Sequence, residues 1–476
     1  MSQELDQKVP FNKKLWPVYI LNGIQSIAFG SFIVLVVPLS LLMWPNEEYH
    51  ALEIGILLTT LYWTGAFFGL LIARLIDQLS RTKIIFALSL ARGAPIFLLG
   101  FAPEAQGYAT FYYFLAMVFI FGCAAGGMYP AVISLANDVV PLNQRSRFFG
   151  YYEIVRNIST VSGFLIATYL VQNGFWRELF FGVGISIIIM GIIFYLHVEE
   201  GKRGAMREEL YHLLQDDSIE YDFEIDRKLM RETMLSKTNR AALLEGLFTM
   251  MLMTSINITI LPYIQSEPYN ISPFSTAVFL VTFGLTAGLF GSIVLARLCD
   301  QLAKDHPKRR IPLIIFSIVG GLVTFILFFF LPWPHLTVEQ GKDVLYMMSL
   351  QPIWVMGALF FISRTIFSLY MVNQAPLLQD INLPEALGKI TAANQFLEAL
   401  GRGIGPLIVG IFLFLTSNNY QEVSLILILF ILPGVIVWLF ALNWFSDDKE
   451  KIQNILTERA KILEERHFNY NNQATE

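Results

Sequence analysis

The residues with the most chemical potential in this chain are charges set inside long apolar stretches: Arg92, Glu153, Arg156, Glu245, Arg364, Glu398 and Arg402. Glu398 and Arg402 are four apart, and Glu153 and Arg156 three apart, so each pair shares one helical face and can close on itself. Ionisable groups within an apolar span are costly and usually face the interior of a bundle. Two readings follow for such a pair. It binds a solute or a proton, or it is a neutralised pair that fixes packing or gates one end. Glu153 and Arg156 fall only ~8–12 Å from a helix end at the rise of an α-helix, which suits a gate. Arg364 falls mid-helix and Arg402 roughly 18 Å in from residue 390, where a guanidinium suits an anionic group. Glu398 is a candidate for a coupling proton. Gln25 and Asn257 lie mid-depth in their segments and either line a cavity or bond between helices. Met250, Met251 and Met253 form a pliable apolar wall or a packing seam.

These residues need a membrane bundle to position them. The chain has 476 residues, of which 55% are hydrophobic and 15% charged, against about a quarter charged in an ordinary soluble protein. Twelve segments between residues 16 and 445 reach the ~20 apolar residues that a helix needs to span a bilayer. The first is too long for a signal peptide and is expected to stay as an anchor. With the N-terminus inside, 25 of the 33 Lys and Arg residues lie on the inner side and two, Arg177 and Lys342, on the outer. That asymmetry places both termini in the cytoplasm. The expected fold is an all-α membrane protein with 12 transmembrane helices in two pseudo-symmetric six-helix bundles. Residues 1–197 form the first bundle, 198–240 a charged cytoplasmic linker, 241–445 the second bundle and 446–476 a cytoplasmic tail. Within the linker, Met206, Leu210, Leu213 and Leu214, then Leu229, Met230 and Met234, have the spacing of short amphipathic helices, a solvated linker being the other reading.

The pseudo-symmetry is written in the sequence. Ala73-Arg74-Leu75-Ile76-Asp77-Gln78-Leu79 recurs as Ala296-Arg297-Leu298-Cys299-Asp300-Gln301-Leu302, each closing an apolar run and followed by basic residues. Asp138, Pro141, Arg147 and Gly163 recur at near-constant offset as Asp380, Pro384, Lys389 and Gly405. Internal repeats in a hydrophobic chain mark transporters. An acid at a cytoplasmic helix end, such as Asp77, can pair with Arg81 and cap an adjacent helix, forming in one state and breaking in the other. Asp77, Arg81, Lys83, Asp300, Asp138 and Arg145 are therefore expected to work as a gate latch, the other reading being that basic loops only fix topology. The loop after Asp300 lacks the Arg spacing of the first copy.

The run from Ala73 to Lys83 resembles the helix 2–3 loop of the major facilitator superfamily, Gly-x-Leu-x-Asp-Arg-x-Gly-Arg-Arg/Lys, with Leu75, Asp77 and Arg81 matching. Gly401-Arg402-Gly403-Ile404-Gly405-Pro406 is similar to that family's glycine-rich helix. The resemblance implies two bundles around a cavity that opens alternately to each side. Gly122 to Pro130, Asn137 to Arg147 and Glu200 to Glu208 resemble the Spinster-like lysolipid and sphingolipid transporters. That group carries an acid in helix 1, where this chain has Leu21-Asn22-Gly23-Ile24-Gln25-Ser26, so Gln25 takes its place. It also carries a Glu in helix 4, where Gly127 lies nearest.

The function expected is a secondary active or facilitative transporter of a small organic solute, an amphiphile, lipid-like molecule or drug. A sugar or other polar-solute symporter is the alternative, and a non-transporting sensor or scaffold on the same fold is an alternative of another class. No phosphate-binding glycine loop, His-Glu-x-x-His or Gly-x-Ser-x-Gly is present, so no enzyme is expected. No cofactor and no metal site are expected, since the six His residues scatter at loops and ends. Cys123 and Cys299 are expected to stay unpaired. The expected partners are a small-molecule substrate, membrane lipids and a coupling proton or cation. No nucleic acid is expected, and the chain is expected to be a monomer of the plasma (inner) membrane.

Overall fold

In hydrocarbon every backbone N–H and C=O must be satisfied within its own segment, so apolar runs of this length become helices. The computed structural model describes residues 11–76, 79–140, 142–200, 227–383 and 386–473. Of these, 11–14, 73–74, 137–138, 142–146, 388, 460 and 463–473 are described by their backbone alone. Among the described residues there are helices and no strand, and 12 helices are long and apolar enough to cross a membrane. Both cysteines are free.

Spans 1 to 6 are Phe11–Val34, Ala51–Ile76, Arg81–Leu99, Tyr108–Val139, Leu142–Gln172 and Trp176–His197. Spans 7 to 12 are Lys237–Gln265, Pro273–Ala303, Arg310–Phe330, Gln351–Asp380, Leu387–Leu415 and Tyr420–Gln473. Span 8 carries two π-helical stretches, Leu280–Leu285 and Gly291–Leu295. Several spans begin on a serine cap: Ser80 accepts from the Lys83 N–H at 3.4 Å, and Ser236 from the Asn239 N–H at 3.3 Å.

The N-terminal and C-terminal ends share one face of the molecule. Trp16 at the start of span 1 meets His197 at the end of span 6, with ring centroids 6.1 Å apart. Thr238 at the start of span 7 donates its N–H to Asp448 of span 12 at 2.9 Å. Between the halves, Arg227–Glu232 is a short helix. Leu229 and Met234 pack against Leu383, Ala386 and Ile452, and Glu232 pairs with Lys451 at 3.2 Å. This part of the linker therefore docks on the second half. Met206, Leu210, Leu213 and Leu214 lie outside the described residues.

The halves meet along spans 2 and 11, which run antiparallel. From the face opposite the termini inward, Ala51 faces Gly410, Gly55 faces Pro406, and the Thr59 hydroxyl donates to the Gly403 carbonyl at 2.8 Å. The Trp63 indole donates to the Leu400 carbonyl at 3.0 Å, and Phe67 meets Phe396 with centroids 5.5 Å apart. A Cβ on Gly410 would stand 2.6 Å from the Ala51 carbonyl oxygen, so only glycine permits this approach. At the terminal face, Leu71 and Leu75 are exposed instead. Spans 5 and 8 repeat the pattern. Tyr169 and Phe274 touch at the far end, with centroids 5.8 Å apart, while Ile154, Ile158, Leu289 and Ile293 stand exposed nearer the termini. The result is a cleft closed at the far face and open towards the termini.

Gly410→Leu should prevent this closure. Spin labels at positions 48 and 418, whose native side chains touch at 3.2 Å, should give a longer and broader distance distribution in the variant. An unchanged distribution would show that the glycine seam does not control the seal.

Candidate functional site

Three polar clusters lie within the spans. In the first, Arg364 of span 10 donates to the Asn257 side-chain carbonyl of span 7 and sits over the Phe360 ring, 5.0 Å from its centroid. Asn257 also lines a small recess shared by both halves, with Leu58 and Tyr62 of span 2, Thr254 of span 7 and Pro406 of span 11. Span 7 can place Asn257 here because Gly401 and Gly405 of span 11 let the two helices touch. A Cβ on Gly405 would stand 2.6 Å from the Met251 carbonyl oxygen.

The second cluster joins spans 10 and 11. Glu398 accepts from the Tyr370 hydroxyl at 3.0 Å and the Asn394 amide at 2.7 Å, and pairs with Arg402 at 3.6 Å. The Arg402 side chain is 40% exposed, yet its Nε is buried without a hydrogen bond. A guanidinium has five N–H donors, so Arg364 and Arg402 retain capacity to bind an anion.

The third cluster is in the first half. Arg92 of span 3 donates to the Gln25 carbonyl at 2.6 Å and lies over the Phe121 ring at 4.9 Å. Beside it, Asn22 donates to the Tyr152 carbonyl at 2.9 Å. Gln25, Asn22, Tyr152, Met128 and Phe194 line a small recess. Gln25 is thus an interhelical partner of an arginine, and its buried amide nitrogen has no hydrogen bond. Glu153 and Arg156 form a partly exposed pair at 2.5 Å on span 5.

Of the loop residues, Asp77 and the side chains of Asp138 and Arg145 lie outside the described residues. Lys83 is exposed and contributes its N–H to the Ser80 cap. Arg81 is buried. Its N–H donates to the Glu200 carboxylate at 2.7 Å, its Nε to the Ser134 hydroxyl at 3.2 Å, and its Nη1 lies 3.4 Å from the same carboxylate. Ser80 and Thr82 also bond Glu200. Burial pushes this carboxyl up, but the donors from Ser80, Arg81 and Thr82 outweigh it and hold Glu200 below the usual carboxylate range. Glu200 enters the sequence reading only through the Glu200 to Glu208 resemblance, because residues 119 apart give no local signal of contact. In the second half, Asp300 pairs with Arg310 at 2.9 Å, and Arg310 also donates to Asn373 at 3.0 Å. The arginine missing from the loop after Asp300 is supplied by the start of span 9, ten residues on.

Residues 15–406 match the family model described as the Major Facilitator Superfamily. The chain belongs to that superfamily. Its members are membrane transporters rather than enzymes, and this chain is an integral membrane protein. Among solved structures, a bacterial homologue of the human lysosomal transporter Spinster, inward-facing and unoccupied, is similar over 92% of this chain and 98% of its own, with a TM-score of 0.70 and 16% identity. The nucleoside transporter NupG is similar over 90% of this chain and 98% of its own, with a TM-score of 0.60 and 13% identity. A D-xylose–proton symporter covers the same shares, with a TM-score of 0.60 and 15% identity. At these identities the likeness is one of fold. Among curated proteins, a putative glycerol-3-phosphate transporter 1 of Arabidopsis thaliana is 27% identical over 103 residues, 21% of this chain. That match spans a fifth of the relative's length.

Within this superfamily member, the Glu200 contact ties span 6 to the start of span 3. Because folding lowers the carboxyl's titration point, the contact stabilises the fold above the unfolded value and is lost as pH falls through the folded one. Glu200→Gln should lower the melting temperature at neutral pH by about 2 °C, the shift expected for roughly 1 kcal/mol lost at a helix cap in a large domain. It should also flatten the decline in acid. Equal acid sensitivity in both proteins would remove Glu200 from the anchor.

Proposed function

We propose that this protein is a secondary active or facilitative transporter that carries an anionic amphiphile through the cleft between its halves by alternating access. The observation that carries this reading is the placement of Arg364 and Arg402 at a cleft closed on one face and open on the other. The apolar surround, with Phe360 beneath Arg364 and Tyr62 and Leu58 lining the recess with Asn257, suits a hydrocarbon tail, and the two guanidiniums suit a phosphate or carboxylate head. The name of one similar protein, the putative glycerol-3-phosphate transporter, agrees with a solute that carries an organic phosphate. The concentration of Lys and Arg at the terminal face supports both termini in the cytoplasm, which makes the present cleft inward-facing in a plasma (inner) membrane. One chain supplies both walls of the cleft, which supports a monomer. Glu153 with Arg156, and the loop residues Asp77, Arg81, Lys83, Asp138, Arg145 and Asp300, serve as gate elements on that face. Glu398 lies beside Arg402, where a coupling proton would change the charge offered to the solute.

Purified protein in liposomes should move a lysophospholipid with an anionic head. Arg364→Gln should reduce that flux roughly tenfold or more, since a charged hydrogen bond contributes about 1.5–3 kcal/mol. A zwitterionic analogue should be affected less. Uptake of a sugar instead would favour a polar-solute symporter, and no flux under any gradient would favour a sensor on the same fold.

A further inference from the structure

Span 7 buries an acid that the cleft chemistry above does not use. Glu245 is 0% exposed. One carboxyl oxygen accepts from the Thr249 hydroxyl, one turn along the same helix. The other, Oε2, is buried with no hydrogen bond. The Trp438 indole N–H of span 12 also points at this carboxyl, without a well-formed hydrogen bond. Span 10 brings the Tyr370 hydroxyl to the same junction, and span 11 brings Asn394 and Glu398. A Cβ on Gly246 would stand 3.0 Å from the Tyr370 hydroxyl, 3.3 Å from the Asn394 carbonyl oxygen and 3.4 Å from Glu398 Cγ. The cation of this junction, Arg402, is paired with Glu398. Among the described residues no Lys, Arg or His forms an ion pair with Glu245.

The two acids therefore live in different surroundings. Glu398 has Tyr370 and Asn394 as donors, Arg402 as counter-charge and a side chain 13% exposed. It is therefore partnered on several sides and not fully enclosed. A carboxylate at Glu245 would be dry, without a cation and beside a second negative charge, so the neutral acid is the form that the site can hold. An enclosed acid without a counter-charge, beside an acid that has one, marks a site where a proton is held next to a group that can exchange it.

We propose that Glu245 is a proton-binding site of the second half, loaded in the conformation described here, with Glu398 as its exchange partner. In the exchange, the O–H bond of Glu245 breaks and one forms on Glu398. Glu245 becomes the carboxylate, Glu398 becomes the neutral acid, and Arg402 is left without its counter-charge. Glu398 then gives the proton to water in the cleft. Because the junction of spans 7, 10, 11 and 12 must loosen to solvate a charged Glu245, proton occupancy is linked to the rocking of the halves. That last link rests on the transport reading, whereas the proton site does not.

The test needs no solute. Infrared difference spectra of the purified full-length protein, taken between pH steps in water and in D₂O, should show the carbonyl band of a protonated carboxyl that shifts on deuteration. Glu245→Gln should remove that band. Glu398→Gln should retain it, displaced. Thr249→Val, which deletes only the hydroxyl that bonds Glu245, should move its frequency and serves if Glu245→Gln does not fold. A band that survives Glu245→Gln, that only Glu398→Gln removes, or that stays unmoved in Thr249→Val would overturn the assignment. Failure of liposome flux with the band intact would instead count against the transport reading alone.

Discussion

A guanidinium or carboxyl inside a hydrocarbon slab cannot rely on water, so each must find its partner on its own helix or a neighbouring one. That constraint runs through this structure. Arg92 is held by Gln25, Arg364 by Asn257, Arg402 by Glu398 and Arg156 by Glu153. Spans 1 and 7, the first helices of the two halves, each supply an amide to an arginine from within their own half. The amide satisfies one edge of the guanidinium without neutralising it. A charge kept in this way is not cancelled and stays available to an anion. The first-half pair is buried under Phe121, whereas Arg364 lies in a half with access to the cleft. Similar chemistry thus fixes helices in one half and suits binding in the other.

The second organising constraint is backbone proximity around span 11. Its glycines alternate their duties: Gly401 and Gly405 lie against span 7, while Gly403 and Gly410 lie against span 2. Helix association in a membrane is driven by close packing and hydrogen bonds rather than by the exclusion of water. Removing side chains along two seams lets one helix join its own half permanently and the opposite half along only part of its length. The seam with span 2 ends near Phe67 and Phe396, and beyond that point the helices carry bulky exposed residues. A rocking motion about such a seam needs no change within either bundle, which suits alternating access.

Glu200 and Arg310 show how the duplicated loops diverged. Both copies keep an arginine bonded to a carboxylate at the terminal face, but the pairing is made differently. In the first half the acid comes from the end of span 6, and in the second the base comes from the start of span 9. The linker segment through Met234 adds a further contact, clipped to span 12 by the Glu232–Lys451 pair and a small apolar cluster. The terminal face of the second half is therefore tied to its own linker, leaving the cleft free to open.

The chain's composition and its repeats determined the coarse architecture. Length and apolarity of each run set the helix count because a continuous apolar run of about 20 residues satisfies its own backbone in a bilayer only as a helix, and the Ala73 to Leu79 repeat in Ala296 to Leu302 disclosed two related halves. The close-spaced pairs Glu153–Arg156 and Glu398–Arg402 were legible for the same reason: helical periodicity puts neighbours three or four apart on one face. Tertiary structure alone decided the rest. The contacts of Arg364 with Asn257, Arg92 with Gln25 and Arg81 with Glu200 join residues far apart in sequence, and an all-apolar helix carries no periodic signal of which face meets which neighbour. Glu245 stood out as an acid in a span, yet its isolation from any cation depends on how spans 7, 10, 11 and 12 close around it.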